Sequence, residues 1–268
     1  MTSNFWKALP SPRGLDPLYF NRRRSLEGAL SRYAKPVHRI IDVGAHIGDT
    51  VIEFAEWFPD SEILAFEPLP ASFSILFDRV DKSLPARRVR FLRQVGLSDS
   101  TGTRHINTSR SQPNNSSLRP LNYSSTTAKS HRGLNIDTPS IFEKRDLTDV
   151  FTVEIELTTL DRHLSDPNKP ESRWLIGDDS YIDLLKIDTQ GWDFYVLRGA
   201  TESLKKTKAV LLEWQLDDIY GPPVPLYELD RLMSQAGFYL WDVSHVYKDL
   251  ASLRTLWMDL LYVRRAQF

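Results

Sequence analysis

From residue 37 onward the chain alternates between two hydrophobic periods. Short apolar runs at 39–43, 62–66, 89–95 and 181–187 read as buried strands, and the segments between them carry apolar residues every three or four positions. Val51, Phe54, Ala55 and Phe58 fall at i, i+3, i+4 and i+7, which predicts a helix closed by Pro59. Phe73, Leu76, Phe77, Val80 and Leu84 predict a second helix with all five residues on one face. Further strands are expected at 152–158, 209–212, 238–243 and 258–263, with a helix carrying Leu226, Leu229, Leu232 and Met233 and stopping at Gly237. Strand and helix in regular succession imply βαβ units, and therefore an α/β fold with a parallel sheet.

Two stretches depart from this alternation. Residues 1–35 begin rich in proline and continue into a mixed stretch, 18–33, which reads as an amphipathic helix and a cap or lid. Residues 107–140 form a polar insert of Ser, Thr and Asn, too long for an ordinary connection and so either a functional loop or a disordered one. Its Asn-x-Ser matches at Asn107, Asn114, Asn115 and Asn122 carry no expectation of glycosylation, because no secretion signal accompanies them.

Composition narrows the class. A chain of 268 residues with 41% hydrophobic and 26% charged residues suits one soluble domain of ordinary size. No apolar run approaches the roughly 18 residues of a membrane span. Residues 1–14 lack the apolar core of a signal peptide, so a cytoplasmic location is expected. The absence of cysteine excludes disulfides, thiolate nucleophiles and cysteine-ligated zinc. Basic and acidic residues number 34 and 35, so no overall field draws nucleic acid, and Arg22-Arg23-Arg24 reads as a solvated helix face.

Ligands of open parallel sheets bind beyond the carboxyl ends of the strands, so the residues after each strand carry the chemistry. The first strand runs into Asp42-Val43-Gly44-Ala45-His46-Ile47-Gly48. Gly44 permits a tight turn, Gly48 lets the helix pack against the strand, and the free N–H groups of the helix start can hold a carboxylate. His46 occupies the place where a dinucleotide site needs its middle glycine, which disfavours pyrophosphate. Asp42 suits the ammonium of an amino-acid moiety. Glu67, about 20 residues on at the tip of the second strand, is placed to take both hydroxyls of a ribose. Ser98 and Asp99 are candidates for an adenine edge, with a capped turn as the alternative reading.

In order along the chain, the motifs Asp42-Val43-Gly44-Ala45-His46-Ile47-Gly48, Phe66-Glu67-Pro68, Gly96-Leu97-Ser98-Asp99, Thr159-Leu160-Asp161, Leu185-Lys186-Ile187-Asp188-Thr189-Gln190-Gly191, Val196-Leu197-Arg198-Gly199-Ala200 and Leu212-Glu213-Trp214 resemble those of FkbM-type methyltransferases. The resemblance implies a Rossmann-like class I methyltransferase fold: a seven-stranded, mostly parallel sheet with an antiparallel last strand and helices on both faces. It implies S-adenosyl-L-methionine as cofactor and O-methylation of a hydroxyl on a sugar, glycan, polyketide or similar small metabolite. It places the methyltransferase domain at 36–268 behind the 1–35 segment. The cofactor-binding residues it implies are Asp42, Gly44, His46, Gly48, Glu67, Pro68, Leu97, Ser98 and Asp188. Two positions depart from the family pattern: Gln190 stands where Glu is common, and His46 where Asn is common.

A hydroxyl acceptor must lose a proton during transfer, which calls for a base. Asp188 is the first candidate, as base or substrate-orienting group, with a helix N-cap as its alternative reading. Glu213 is the second, with a buried paired carboxylate as the alternative. His245 and His131 follow, although a lone histidine is more often structural. Asp161, Asp188 and Asp193 are conceivable oxygen ligands for magnesium, but they lack a tight spacing motif and no metal is assigned. Trp192 and Trp214, beside strand tips, are expected to line a pocket. The rival readings are a nicotinamide-dependent oxidoreductase, which the missing glycine disfavours, and a cofactor-binding module without catalysis. The acceptor is expected to be a small molecule or glycan.

Overall fold

The computed structural model describes residues 22–31, 37–84, 90–109, 116–120, 150–176, 181–218, 220–248 and 254–265. Its strands are β1 (Arg39–Val43), β2 (Glu62–Phe66), β3 (Arg90–Arg93), β4 (Gly96–Leu97), β5 (Gly102–Ser109), β6 (Val150–Thr158), β7 (Ile182–Ile187), β8 (Thr207–Gln215), β9 (Phe238–Lys248) and β10 (Thr255–Arg264). The helices are α1 (Arg22–Ser31), α2 (Asp49–Trp57), α3 (Pro70–Ser83), α4 (Leu160–Ser165), α5 (Asp193–Arg198), α6 (Thr201–Lys205) and α7 (Leu226–Gln235).

Seven strands form the main sheet in the order β3-β2-β1-β7-β8-β10-β9. The first five are mutually parallel, and the last strand of the chain, β10, runs antiparallel between β8 and β9. This is the expected Rossmann-like class I methyltransferase sheet. Strand order reverses between β1 and β7, so the crevice for a ligand opens above their carboxyl ends.

Alternate residues of each strand enter opposite layers of the core, as the pleat requires. Ile41, Val43, Leu64, Phe66, Leu185 and Ile187 pack against α4, α5, α6 and α7. Ile40, Ile63, Ala65 and Leu184 pack against Leu26, Ala29 and Leu30 of α1, Val51, Phe54 and Ala55 of α2, and Leu76 and Val80 of α3. Every residue of β7 is buried, which is why its sequence shows no alternation and reads as a nearly continuous apolar run interrupted by Asp183 and Lys186. Asp42 and Lys186 lie on the same face of adjacent strands and are register partners.

The expected faces of the helices hold except at Leu226, which is exposed at the start of α7, and at Phe77. Val51, Phe54, Ala55 and Phe58 are all buried, and the N–H of Phe58 closes α2 by donating to Phe54 O at 2.8 Å, just before Pro59. On α3, however, Phe77 is 55% exposed: Leu76 and Val80 point inward, and Phe77, one residue beyond Leu76, is turned about 100° away from it.

Three further differences lie around the insert. The third strand is shorter than expected, ending at Arg93, and Gly96–Leu97 crosses into a second sheet of order β4-β6-β5. The strand at 150–158 belongs to that second sheet. β5, with no counterpart among the expected strands, buries only Ile106 and Thr108 of its eight residues. An apolar signal that thin is invisible to periodicity. Residues 107–109 of the polar insert therefore extend β5, and Asn107 pairs with Ser117 through reciprocal backbone hydrogen bonds of 2.9 and 3.0 Å. The rest of that insert beyond 116–120, residues 1–21 and 32–35, and His131 lie outside the described residues.

Leu185 is fully buried at the centre of the sheet. Leu185→Ala is expected to lower the unfolding free energy by about 2–5 kcal/mol, read as a lower urea midpoint at unchanged slope.

Candidate active site

The turn after β1 is built by left-handed backbone at Gly44 (φ 78°), His46 (φ 49°) and Gly48 (φ 90°). A Cβ on Gly44 would stand 1.9 Å from the carbonyl oxygen of Asp188, so no side chain fits while the tips of β1 and β7 remain this close. Gly48 meets Leu76 of α3, at 2.7 Å from the same construction, rather than the strand it was expected to approach. The turn and the start of α2 thus wrap over a cleft of about 370 Å³. That volume suits a small-molecule ligand.

Glu67 forms one wall. It is 5% exposed, and its two oxygens accept from backbone N–H groups, Oε2 from His46 at 2.9 Å and Oε1 from Leu69 at 2.8 Å. Each carboxylate oxygen has a further lone pair, so the group is held in place while keeping acceptor capacity toward the cleft. Burial pushes its pKa up to about 7, against the opposing pull of those N–H donors. Burial lowers the pKa of His46, whose Nε2 is buried and without a hydrogen-bond partner. Pro68 and Leu97 line the same cleft, with Leu69, Val95, Ile106, Leu118 and Ile155 completing an apolar wall.

Asp42 stands behind the cleft. Its carboxylate is fully buried, does not line the cavity, and lies with Oδ1 3.0 Å from Lys186 Nζ. Neither oxygen has a well-directed hydrogen bond, so the contact is chiefly Coulombic. The expected contact with a ligand ammonium is thus replaced by an internal one. Lys186 reaches the cleft floor, donating to Gly44 O at 3.3 Å and standing 3.7 Å from Asp188 Oδ2. The sequence offered one signal for this residue, a lysine that, with Asp183, interrupts a largely apolar central strand.

Asp188 and Glu213, from the tips of β7 and β8, both line the cleft. Asp188 keeps a side chain 36% exposed. Glu213 is half-buried, and desolvation of its carboxyl first, then the negative charge of Asp188, raise its pKa well above its ordinary value. Gln190 joins them, with Nε2 2.9 Å from Asp188 Oδ1 and 3.2 Å from Glu213 Oε1. Asp193, behind this group, has a pKa raised to about 7 by burial and then by Asp188, against the pull of its hydrogen bonds, among them one from Thr189 Oγ1 at 3.2 Å.

Other expected site residues fall elsewhere. Ser98 is buried, accepts from Trp192 Nε1 at 3.2 Å and does not line the cleft. Its carbonyl abuts Gly199, where a Cβ would stand 1.9 Å away, so Gly199 matters for close packing and not for a ligand. His245 lies within β9, outside the cleft walls, with Nδ1 2.8 Å from Asp259 Oδ2 and a side chain 53% exposed. Asp161 accepts from the backbone of Glu202 and Ser203 and so caps α6, away from Asp188. Among the described residues no group of three or more His, Asp or Glu side chains is arranged to hold a metal. Trp192 lines the cleft, whereas Trp214 lines a smaller adjoining cavity. Trp257, Tyr220 and Gln215 also line the cleft, and position in the sequence alone did not mark them.

The buried carboxyls make stability depend on pH. An acid whose pKa is higher in the folded than in the unfolded chain favours folding below the unfolded value, and that contribution is lost as pH rises through the folded value. For Asp193 the window runs from about 4 to about 7. Asp193→Asn keeps the acceptor for Thr189, so its stability relative to the parent is expected to increase across that window, by roughly 1.4 kcal/mol for each unit separating the two pKa values. Thermal melts at a series of pH values check this; a constant difference would remove the buried ionisation.

Residues 42–240 match the family model of the methyltransferase FkbM domain. Methyltransferase sdnD of Sordaria araneosa is 30% identical over 204 residues, which are 74% of this chain and 73% of that protein. Among solved structures, methyltransferase FkbM from Methylobacillus flagellatus KT matches 85% of this chain at 15% identity with a TM-score of 0.47, and the chain spans 43% of that longer protein. Magnesium protoporphyrin IX methyltransferase from Synechocystis PCC 6803, a structure with bound S-adenosylmethionine, matches 91% of this chain and 79% of its own at 6% identity with a TM-score of 0.43. The glycine turn, the Glu67 wall and the Asp188 strand tip all lie inside the matched span, and the chain belongs to the FkbM methyltransferase family.

Proposed function

We propose that the protein transfers a methyl group from S-adenosyl-L-methionine to a hydroxyl oxygen of a small metabolite or glycan. The observation that carries this reading is Glu67: a buried carboxylate pinned by two backbone N–H groups, with lone pairs left for a vicinal diol. The residues present fit such a cofactor. Glu67 would hold the ribose; Leu97, Ile106, Leu118 and Ile155 would cover the adenine; the 44–48 turn and the start of α2 would face the amino-acid end. His46 fills the place that pyrophosphate would need, which speaks against a dinucleotide.

S-adenosylmethionine, when bound, supplies a methyl carbon on a positively charged sulfur. The residues of this chain align the acceptor and take its proton. The acceptor oxygen forms the new C–O bond, the C–S electron pair stays with sulfur, and the hydroxyl proton passes to Asp188, the partly exposed carboxylate at the cleft. Glu213, whose pKa is raised by desolvation and by the charge of Asp188, holds its proton more readily than Asp188 and serves as a hydrogen-bonding group beside it. Ser116 also lines the cleft, which supports a role for the 107–140 insert in acceptor choice.

Isothermal titration with S-adenosylhomocysteine, run beside NADH and with a Glu67→Ala variant, tests the reading. The first ligand is expected to bind and NADH not, with affinity falling about 10- to 100-fold in the variant as charge-assisted hydrogen bonds are lost. Because Glu67 titrates near pH 7, affinity is also expected to weaken as pH falls below that value. Binding of NADH, or of S-adenosylhomocysteine with no dependence on Glu67 or on pH, would sink the proposal.

A further inference from the structure

The two carboxyl groups at the acceptor end of the cleft share one amide. Gln190 gives both Nε2 hydrogens away, to Asp188 Oδ1 at 2.9 Å and Glu213 Oε1 at 3.2 Å, and its Oε1 accepts from the Tyr220 hydroxyl at 2.8 Å. A flipped amide would set its oxygen against two carboxyl oxygens, so the surrounding network determines the orientation. The backbone is held as well. Gln190 sits in the left-handed region at φ 52°, its carbonyl accepts from Ser117 Oγ at 2.7 Å, and Gly191 follows at φ 84°. A non-glycine residue keeps that conformation where its surroundings over-determine it.

We propose that Gln190 is a positioning residue: a neutral two-donor clamp that holds Asp188 by one oxygen and leaves the other turned to the acceptor hydroxyl. The proposal rests on the reading of Asp188 as proton acceptor. Glu213 is fixed from its other side by Gln215 Nε2, which donates to the same Oε1 at 3.0 Å. Two carboxyl groups this close otherwise need a shared proton or a cation between them. The other charged or titratable groups facing the pair include Lys186 on β7, which leans on Asp42 of β1, His46 of the turn after β1, Asp193 on α5 and Asp259 on β10. Raised affinity of Glu213 for its proton agrees with a crowded, buried cluster.

Gln190→Glu and Gln190→Met test the clamp. The first keeps length but replaces a double donor with a third carboxylate; the second keeps approximate volume without donors. The first readout needs no acceptor. Gln190→Glu is expected to lose thermal stability relative to the parent progressively between pH 5 and 8, and Gln190→Met to lose less over the same range, because it removes the donors without adding a third charge. Identical pH dependence in the two variants would overturn the clamp. The second readout is methyl transfer to an acceptor found by screening. Gln190→Met is expected to lower kcat by about a hundredfold at all pH values, with KM for the cofactor little changed. Gln190→Glu is expected to lower kcat near neutral pH and recover as pH rises, because a neighbouring negative charge raises the pKa of the base. Tyr220→Phe, which leaves Gln190 in place but removes its orienting donor, is expected to lower kcat in the same direction. A fall confined to cofactor affinity, or unchanged kcat in both Gln190 variants, would overturn the proposal. If no S-adenosylhomocysteine binds yet the pH-dependent stability difference appears, the clamp stands and the methyl-transfer reading is what fails.

Discussion

The close approach of β1 to β7 is the constraint on which the site depends. The two strands lie side by side in parallel register, with Asp42 opposite Lys186 and the N–H of Asp188 donating to Val43 O at 3.0 Å. One residue later Gly44 passes so near the Asp188 carbonyl that a side chain is excluded. A buried acid and a buried lysine are costly to remove from water singly and are tolerable together. Their pairing beneath the turn anchors the two strand tips from which the cleft residues project. A larger residue at Gly44 would force those tips apart and widen the distance between Glu67 on one side and Asp188 on the other.

From that junction the site divides into two chemical regions. Around Glu67 the walls are largely apolar, contributed by Leu97 of β4 and by the small sheet through Ile106 and Ile155, and one carboxylate is held ready by backbone donors. Around Asp188 the walls are polar, with Gln190, Glu213, Gln215 and Tyr220 linked by hydrogen bonds. A buried polar network is stable when its members are satisfied, and the amide of Gln190 satisfies two acids at once. Burial separates the roles of the two acids. Both acids line the cleft, and Glu213 is the one whose ionisation is penalised by desolvation and by its neighbour.

Beyond the walls, the described part of the N-terminal segment contributes to the core. Leu26, Ala29 and Leu30 of α1 are buried in the same layer as α2 and α3. No helix among the described residues is long and apolar enough to cross a membrane. The small sheet, in contrast, touches the cleft directly, so the segment between the two halves of the fold is both scaffold and wall.

The sequence by itself determined the alternation of strands and helices, the seven-stranded sheet through its family motifs, and the glycine turn with Glu67 at the next strand tip. These are local or periodic signals: a buried strand must be apolar, a helix must repeat every 3.6 residues, and a tight turn needs glycine. Asp188 and Glu213 were legible as candidates for the same reason, because strand tips are known in advance to face the ligand. Only the tertiary structure decided that Asp42 serves Lys186 and not the cleft, that Ser98 serves Trp192, that His245 stands aside with Asp259, and that β5 exists at all. Each of those outcomes turns on which side chain meets another from a distant part of the chain. Gln190 is 73 positions from its partner Ser117 and 30 from its partner Tyr220, and no spacing rule brings them together. Packing does so, because burying the strands on both faces leaves their polar tips a single crowded place to satisfy their hydrogen bonds.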